Sequence, residues 1–183
     1  MDQIKRQTLV VLVDNEAGVL SQVSRLFSRK GYNIESLAVG ATARENLSRI
    51  TIEVLTDDAH VQLLSNQLRK LIPVHSVKIL TDQKSIRREL IIIKMRTPDA
   101  SVRNEITQIA NIFRASIIDV SIGTLSIAVI GEEQKIEGMI NLLKEFEIME
   151  LVRTGVIALE RGQNTIHDET KEKGEFNYGK NVL

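Results

Sequence analysis

Thr8-Leu9-Val10-Val11-Leu12-Val13, followed by Asp14-Asn15-Glu16-Ala17-Gly18 and then Val19-Leu20, decides how the first half of the chain is read. A short, unbroken, largely β-branched run predicts a strand buried on both faces. The five residues after it carry turn and helix-capping chemistry. Val19, Leu20, Val23, Leu26 and Phe27 then share one helical face, and Arg29, Lys30 and Gly31 make its C-terminal stop. Working outward, residues 33–39 read as a second strand. Ile50, Ile52 and Val54 alternate with Arg49, Thr51 and Glu53, which predicts a half-buried third strand. Asp57 and Asp58 can cap a second helix with Val61, Leu64, Leu68 and Leu71 on one face. Pro73 ends it, and Val77 and Ile79 mark a fourth strand. The order is βαββαβ.

The second half repeats that order. Residues 90–95 form an apolar strand, and Thr97-Pro98-Asp99 opens a helix carrying Val102, Ile106, Ile109, Ala110 and Phe113. Residues 117–121 and 125–130 read as the middle strands, Ile136, Met139, Ile140 and Leu143 as the next helical face, and residues 156–159 as the last strand. Ile34-Glu35-Ser36 has its counterpart in Ile118-Asp119-Val120, 84 residues on, as expected of two diverged copies of one unit. The predicted fold class is therefore α+β. Two ferredoxin-like βαββαβ domains each form a four-stranded antiparallel sheet with both helices on one face. The expected boundaries are 7–81 and 89–161, with a polar linker at 82–88 and a disordered tail at 162–183, which is rich in Asn, Glu and Lys. The apolar alternation implies that the second face of each sheet is covered, hence an oligomer.

Composition narrows the function classes. The 183 residues contain 24 basic and 24 acidic side chains, a balance that argues against a general nucleic-acid or membrane-surface binder. There are no cysteines, so disulfides, thiolate metal sites and a thiol nucleophile are excluded. Four Phe, two Tyr and no Trp leave little for base or sugar stacking. The same βαββαβ order occurs in RNA-binding RRM domains, but those need aromatics on the middle strands, and residues 48–55 and 125–130 contain none. No segment is left over for a helix-turn-helix. The N-terminus lacks an apolar signal core and no apolar run reaches membrane-spanning length, so the expected compartment is the cytoplasm.

Catalytic constellations are absent. His60, His75 and His167 have no mate at metal-ligand or triad spacing, so a structural or solvated role is the stronger reading of each. There is no Walker A sequence, no G-x-G-x-x-G and no G-x-S-x-G. Glu16 and Glu35 lie near a credible pocket but lack an acid or base partner. One binding segment stands out. The strand-to-helix turn at residues 13–20 presents free N–H groups at a helix start, which favour an anion such as a carboxylate. Gly18 has no Cβ to keep a ligand from the backbone, and Asn15 offers a donor and an acceptor suited to an amino acid. An ordinary capped turn would look the same.

The residues around this turn carry a resemblance. Asn15-Glu16-Ala17-Gly18-Val19-Leu20, with Arg29-Lys30-Gly31-Tyr32-Asn33-Ile34-Glu35-Ser36-Leu37, resembles the ACT domain of the small regulatory subunit of acetohydroxyacid synthase (acetolactate synthase). The likeness continues through Leu47-Ser48-Arg49-Ile50-Thr51, Ile118-Asp119-Val120 and Arg153-Thr154-Gly155, covering roughly residues 7–162. Ala17 stands where the family usually has Pro or Ser, and Ile122 and Leu125 replace a usual Pro and aromatic. The resemblance implies an N-terminal ACT domain, a C-terminal ACT-like domain and a non-catalytic chain. Its partner is a catalytic large subunit that holds thiamine diphosphate, magnesium and FAD, with no cofactor or metal in this chain. The small subunit would activate that partner and confer feedback inhibition by valine or a related branched-chain amino acid. Carried over by motif, the effector site is Asn15, Gly18, Val19 and Leu20 of one protomer facing Asn33 and Ile34 of a second in a homodimer. The alternative within the same fold is a stand-alone ACT-type amino-acid sensor.

Overall fold

Strand β1 (Lys5–Asp14) buries every side chain from Gln7 to Val13, as its unbroken apolar run predicts. The computed structural model describes residues 3–169 of the chain. Helix α1 (Val19–Lys30) buries Val19, Val23, Leu26 and Phe27, and Gly31 closes it with backbone bonds to the Phe27 and Ser28 carbonyls. Strands β2 (Ile34–Ala41) and β3 (Leu47–Thr56) follow, then α2 (Asp58–Leu68) and β4 (Val74–Leu80). Asp57 caps α2 by accepting the His60 backbone N–H at 2.8 Å. That bond, with the His60 ring beside it, holds the Asp57 carboxyl below its ordinary range. The strands are antiparallel in the order β2-β3-β1-β4, and both helices share one apolar core with Leu9, Val11, Ile50 and Ile52.

The second unit repeats this plan with β5 (Ser85–Arg96), α3 (Ala100–Ile112), β6 (Ser116–Ser121), β7 (Thr124–Gly131), α4 (Glu133–Leu143) and β8 (Ile148–Arg153). Its sheet order is β6-β7-β5-β8, and Ile91, Ile93, Ile106, Ile127 and Ile140 sit in one core. Both halves are thus the expected α+β, ferredoxin-like units.

Three expectations need correction. The fourth strand of the second unit is β8, not residues 156–159. Those residues form most of an added strand, β9 (Ile157–Glu160), paired with the first four residues of β5. Residues 82–88, expected as a linker, are a short 3-10 turn (Asp82–Lys84) and the start of β5. Asp82, Gln83, Lys84 and Arg88 are exposed, but Ser85 is buried and Arg87 reaches Glu53 and the Thr8 hydroxyl of the first unit. The tail is packed at its start, where Ile166 is only 6% exposed against Val10, Leu12, Leu80 and Ala158. The remainder of the expected tail, 170–183, lies outside the described residues.

The β5–β9 ribbon and the Ile166 turn therefore cover part of the outer face of the first sheet within a single chain. Gly155 permits the close approach: its φ is +77°, and a Cβ there would lie 2.8 Å from Ser36 Oγ and 3.2 Å from the Leu37 carbonyl oxygen. The Val156 backbone N–H donates to Ser36 Oγ at 2.9 Å. The outer face of the second sheet stays open, with Ile92, Ile130 and Val152 exposed.

Candidate functional site

The turn between β1 and α1 is fixed from several sides. The Asp14 N–H donates to the Pro73 carbonyl (2.9 Å) and the Asn15 N–H to the Asn46 carbonyl (2.8 Å). The Asp14 carboxylate meets His75 Nε2 at 2.5 Å. Asn15 Nδ2 donates to the Glu45 carbonyl at 3.1 Å, while its Oδ1 accepts from Ser48 Oγ at 3.0 Å. The side chain is exposed, so one amide hydrogen and one lone pair remain for a ligand. Ser48 and the 45–46 turn are supporting residues that sequence reasoning missed. They lie about 30 residues from Asn15, and a serine on an apolar strand carries no signal of its partner.

Gly18 is the N-cap of α1 with φ 86° and ψ −12°, a left-handed conformation that an L side chain adopts only at a penalty of about 1–2 kcal/mol. An ideal Cβ on it would meet nothing within 4 Å. No side chain caps the helix and no acidic residue sits in its first turn. The Val19 N–H donates to the Glu16 carbonyl at 3.4 Å, while the Leu20 and Ser21 amides have no intrahelical partner and sit at a positive dipole end. Val19 is 4% exposed and belongs to the core, so only its backbone can serve a ligand; Leu20 is 42% exposed and can offer its side chain.

Asn33 and Ile34 lie at the other end of α1. Asn33 is exposed and donates to Glu35 Oε1 at 2.6 Å, and Ile34 is half-buried at the start of β2. Twelve helical residues span about 18 Å, so one protomer does not bring Asn33 to Asn15. Tyr32 packs against the first core, with its ring edge-on to His60.

A second polar region lies where the two units meet. Glu53, read from its alternation as solvent-facing, is 1% exposed, and Thr51 is 3% exposed. The β5–β9 ribbon covers them. Arg87 pairs with Glu53, Arg6 with Glu133, and Arg153 with Glu137 (2.5 Å) and Glu89 (3.5 Å). Burial pushes the Glu89 carboxyl above its ordinary value, against the pull of Arg153. The Arg87–Glu53 and Arg6–Glu133 pairs fasten the two units together, while the Arg153 pairs tie β8 to α4 and β5 within the second unit. Among the described residues no cluster of three His, Cys, Asp or Glu is placed to hold a metal ion, and no helix is long and apolar enough to cross a membrane.

The chain is similar to known proteins over most of its length. Residues 9–76 match the family model of the AHAS small subunit-like ACT domain, and residues 88–162 that of the small subunit of acetolactate synthase. The chain is 44% identical over 170 residues to the acetolactate synthase small subunit of Aquifex aeolicus, covering 93% of this chain and 88% of that one. It is 46% identical over 157 residues to the probable acetolactate synthase small subunit of Archaeoglobus fulgidus, covering 86% and 98%. The crystal structure of the Thermotoga maritima acetolactate synthase small subunit superposes with a TM-score of 0.82 at 36% identity, over 88% of this chain and all of that one.

Proposed function

Because this chain belongs to the acetolactate synthase small-subunit family, we propose that it is a regulatory subunit that activates a catalytic large subunit and inhibits it when a branched-chain amino acid binds. The observation that carries the amino-acid part is the uncapped first turn of α1 behind Gly18, with Asn15 held beside it. The effector carboxylate takes the first-turn amides. Asn15 adds a hydrogen bond to a charged group, and Leu20 lies against the aliphatic side chain. In this reading thiamine diphosphate, magnesium and FAD belong to the large subunit, and the complex works in the cytoplasm.

The experiment is an assay of pyruvate conversion to acetolactate. The purified chain is expected to show no activity alone and to raise that of its cognate large subunit. Activity from this chain free of large subunit would overturn the proposal.

The length of α1 supports a homodimer, since Asn33 and Ile34 can face an Asn15 loop only from a second protomer. Strand β2 is an edge of its sheet and offers unpaired backbone groups to that protomer. Sedimentation at micromolar concentration is expected to show a dimer. A monomer that still binds valine tightly would contradict the shared site. The open face bearing Ile92, Ile130 and Val152 supplies a separate assembly surface in the second unit.

Replacing Asn15 with Ala should weaken effector binding about 10- to 150-fold, the worth of about 1.5–3 kcal/mol for hydrogen bonds to a charged group. Activation should persist. Isothermal titration of wild type and variant with valine measures the difference.

A further inference from the structure

On the face of the first sheet opposite α1, a cleft of about 420 Å³ opens between β2 and β3 on one side and the β5–β9 ribbon on the other. Ala38 and Gly40 contribute almost no side chain to it, and Thr51 lies beside them. The room in the cleft comes from these small residues. The wall is aliphatic. Ile86 and Leu159 are direct partners in the ribbon, and Ile157 follows on β9; they are 36%, 52% and 58% exposed. A concave surface of this size, apolar with few polar groups, is the usual form of a small-molecule site.

Besides Thr51, the polar groups here are two arginines: Arg88, which is paired with Glu132, and Arg49. The Arg49 guanidinium donates to the Ala158 carbonyl oxygen at 2.6 Å, which aims the head at the cleft wall. It has no carboxylate partner among the described residues, whereas Arg6, Arg87, Arg88 and Arg153 each have one. A guanidinium has five N–H donors, and a half-buried one without a counter-charge is left under-compensated. Burial accordingly lowers its proton affinity below the ordinary arginine value.

We propose that this cleft is a second ligand site, taking a small aliphatic monocarboxylate with its carboxylate on Arg49 and its tail against Ile86, Ile157 and Leu159. It is separate from the Asn15–Gly18 turn and needs no ammonium group, because the cleft lining holds no carboxylate. An aliphatic carboxylate without an ammonium group therefore fits it better than an amino acid.

The test uses the full chain, isotopically labelled, titrated with isovalerate and, separately, with its uncharged analogue isovaleramide while amide resonances are followed. Saturable shifts are expected at Gly40, Thr51 and Leu159, with isovaleramide at least tenfold weaker. Arg49→Gln should weaken isovalerate at least tenfold and leave isovaleramide unchanged. Gly40→Val should abolish binding of both with the spectrum otherwise retained, because Gly40 has an ordinary φ and open space around its Cβ position. Asn15→Ala should bind the acid as wild type does, so this outcome is independent of the effector reading above. Shifts confined to the start of α1, an Arg49→Gln titration equal to wild type, or no saturation by isovalerate would each overturn the proposal.

Discussion

A holoenzyme assembled with the Gly18→Asp chain is expected to keep its activated rate and to lose inhibition by valine. The fold tolerates the change. The Cβ enters open space, and Asp is among the few residues that visit the left-handed region, so the backbone penalty is about 1 kcal/mol. The new side chain differs from an ordinary cap, because at φ 86° the residue does not have the extended conformation from which capping side chains reach back. Its charge nonetheless sits where the effector carboxylate would approach the first-turn amides. Losing that charge-assisted contact should raise the inhibitory valine concentration about 100-fold or more. The check is activity with and without saturating valine for both holoenzymes. Equal inhibition of wild type and variant would show that the site is wrong. Loss of activation would assign the turn to the contact with the large subunit.

The second large effect concerns stability. Arg87→Met should destabilise the chain by about 3 kcal/mol, because it removes the nearer counter-charge of a buried carboxylate. Glu53 is 1% exposed; after the change it retains the Thr8 hydroxyl at 3.3 Å and Arg6 at 3.8 Å. For a chain of this size the loss corresponds to a fall of roughly 10 °C in Tm. The double variant Glu53→Gln, Arg87→Met should recover most of it, since a neutral amide is far cheaper to bury than a lone charge. Thermal unfolding of wild type, single and double variants decides this. An unchanged Tm in Arg87→Met would mean that the ribbon does not lie on the first sheet as described.

Much of the candidate site was legible along the chain. Asn15 and Gly18 fall between an apolar strand and an amphipathic helix, and that sequence of local signals places them at a helix start. Their supports were not legible. Ser48, Glu45 and Asn46 come from a hairpin, and His75 from β4, so each bond to the turn joins residues far apart in sequence. That Asn33 lies a helix length from Asn15 in the same protomer follows from the 12 residues of α1. Strand β8 was missed because Ile148-Met149-Glu150-Leu151-Val152-Arg153 has no strict alternation: Leu151 packs on the core while Met149 and Val152 are both exposed.

The sequence by itself determined the two βαββαβ units, the faces that form their cores and the family to which the chain belongs. Those features are written in local periodicity, caps and contiguous motifs, which neighbouring residues impose on one another. Only the tertiary structure decided what lies against the polar face of the first sheet. Alternation shows that Arg49, Thr51 and Glu53 point away from the helices, but it carries no information about what that face meets. Here a ribbon made from residues 85–88 and 157–160 folds back over it, burying Glu53 and Thr51 and leaving Arg49 at a cleft. Arg87 and Glu53 are 34 residues apart, and Arg49 and Ala158 are 109 apart. Pairs at such separations leave no pattern in either segment alone; the long β5 strand, whose first four residues run past the second unit's sheet to pair with β9, brings them together.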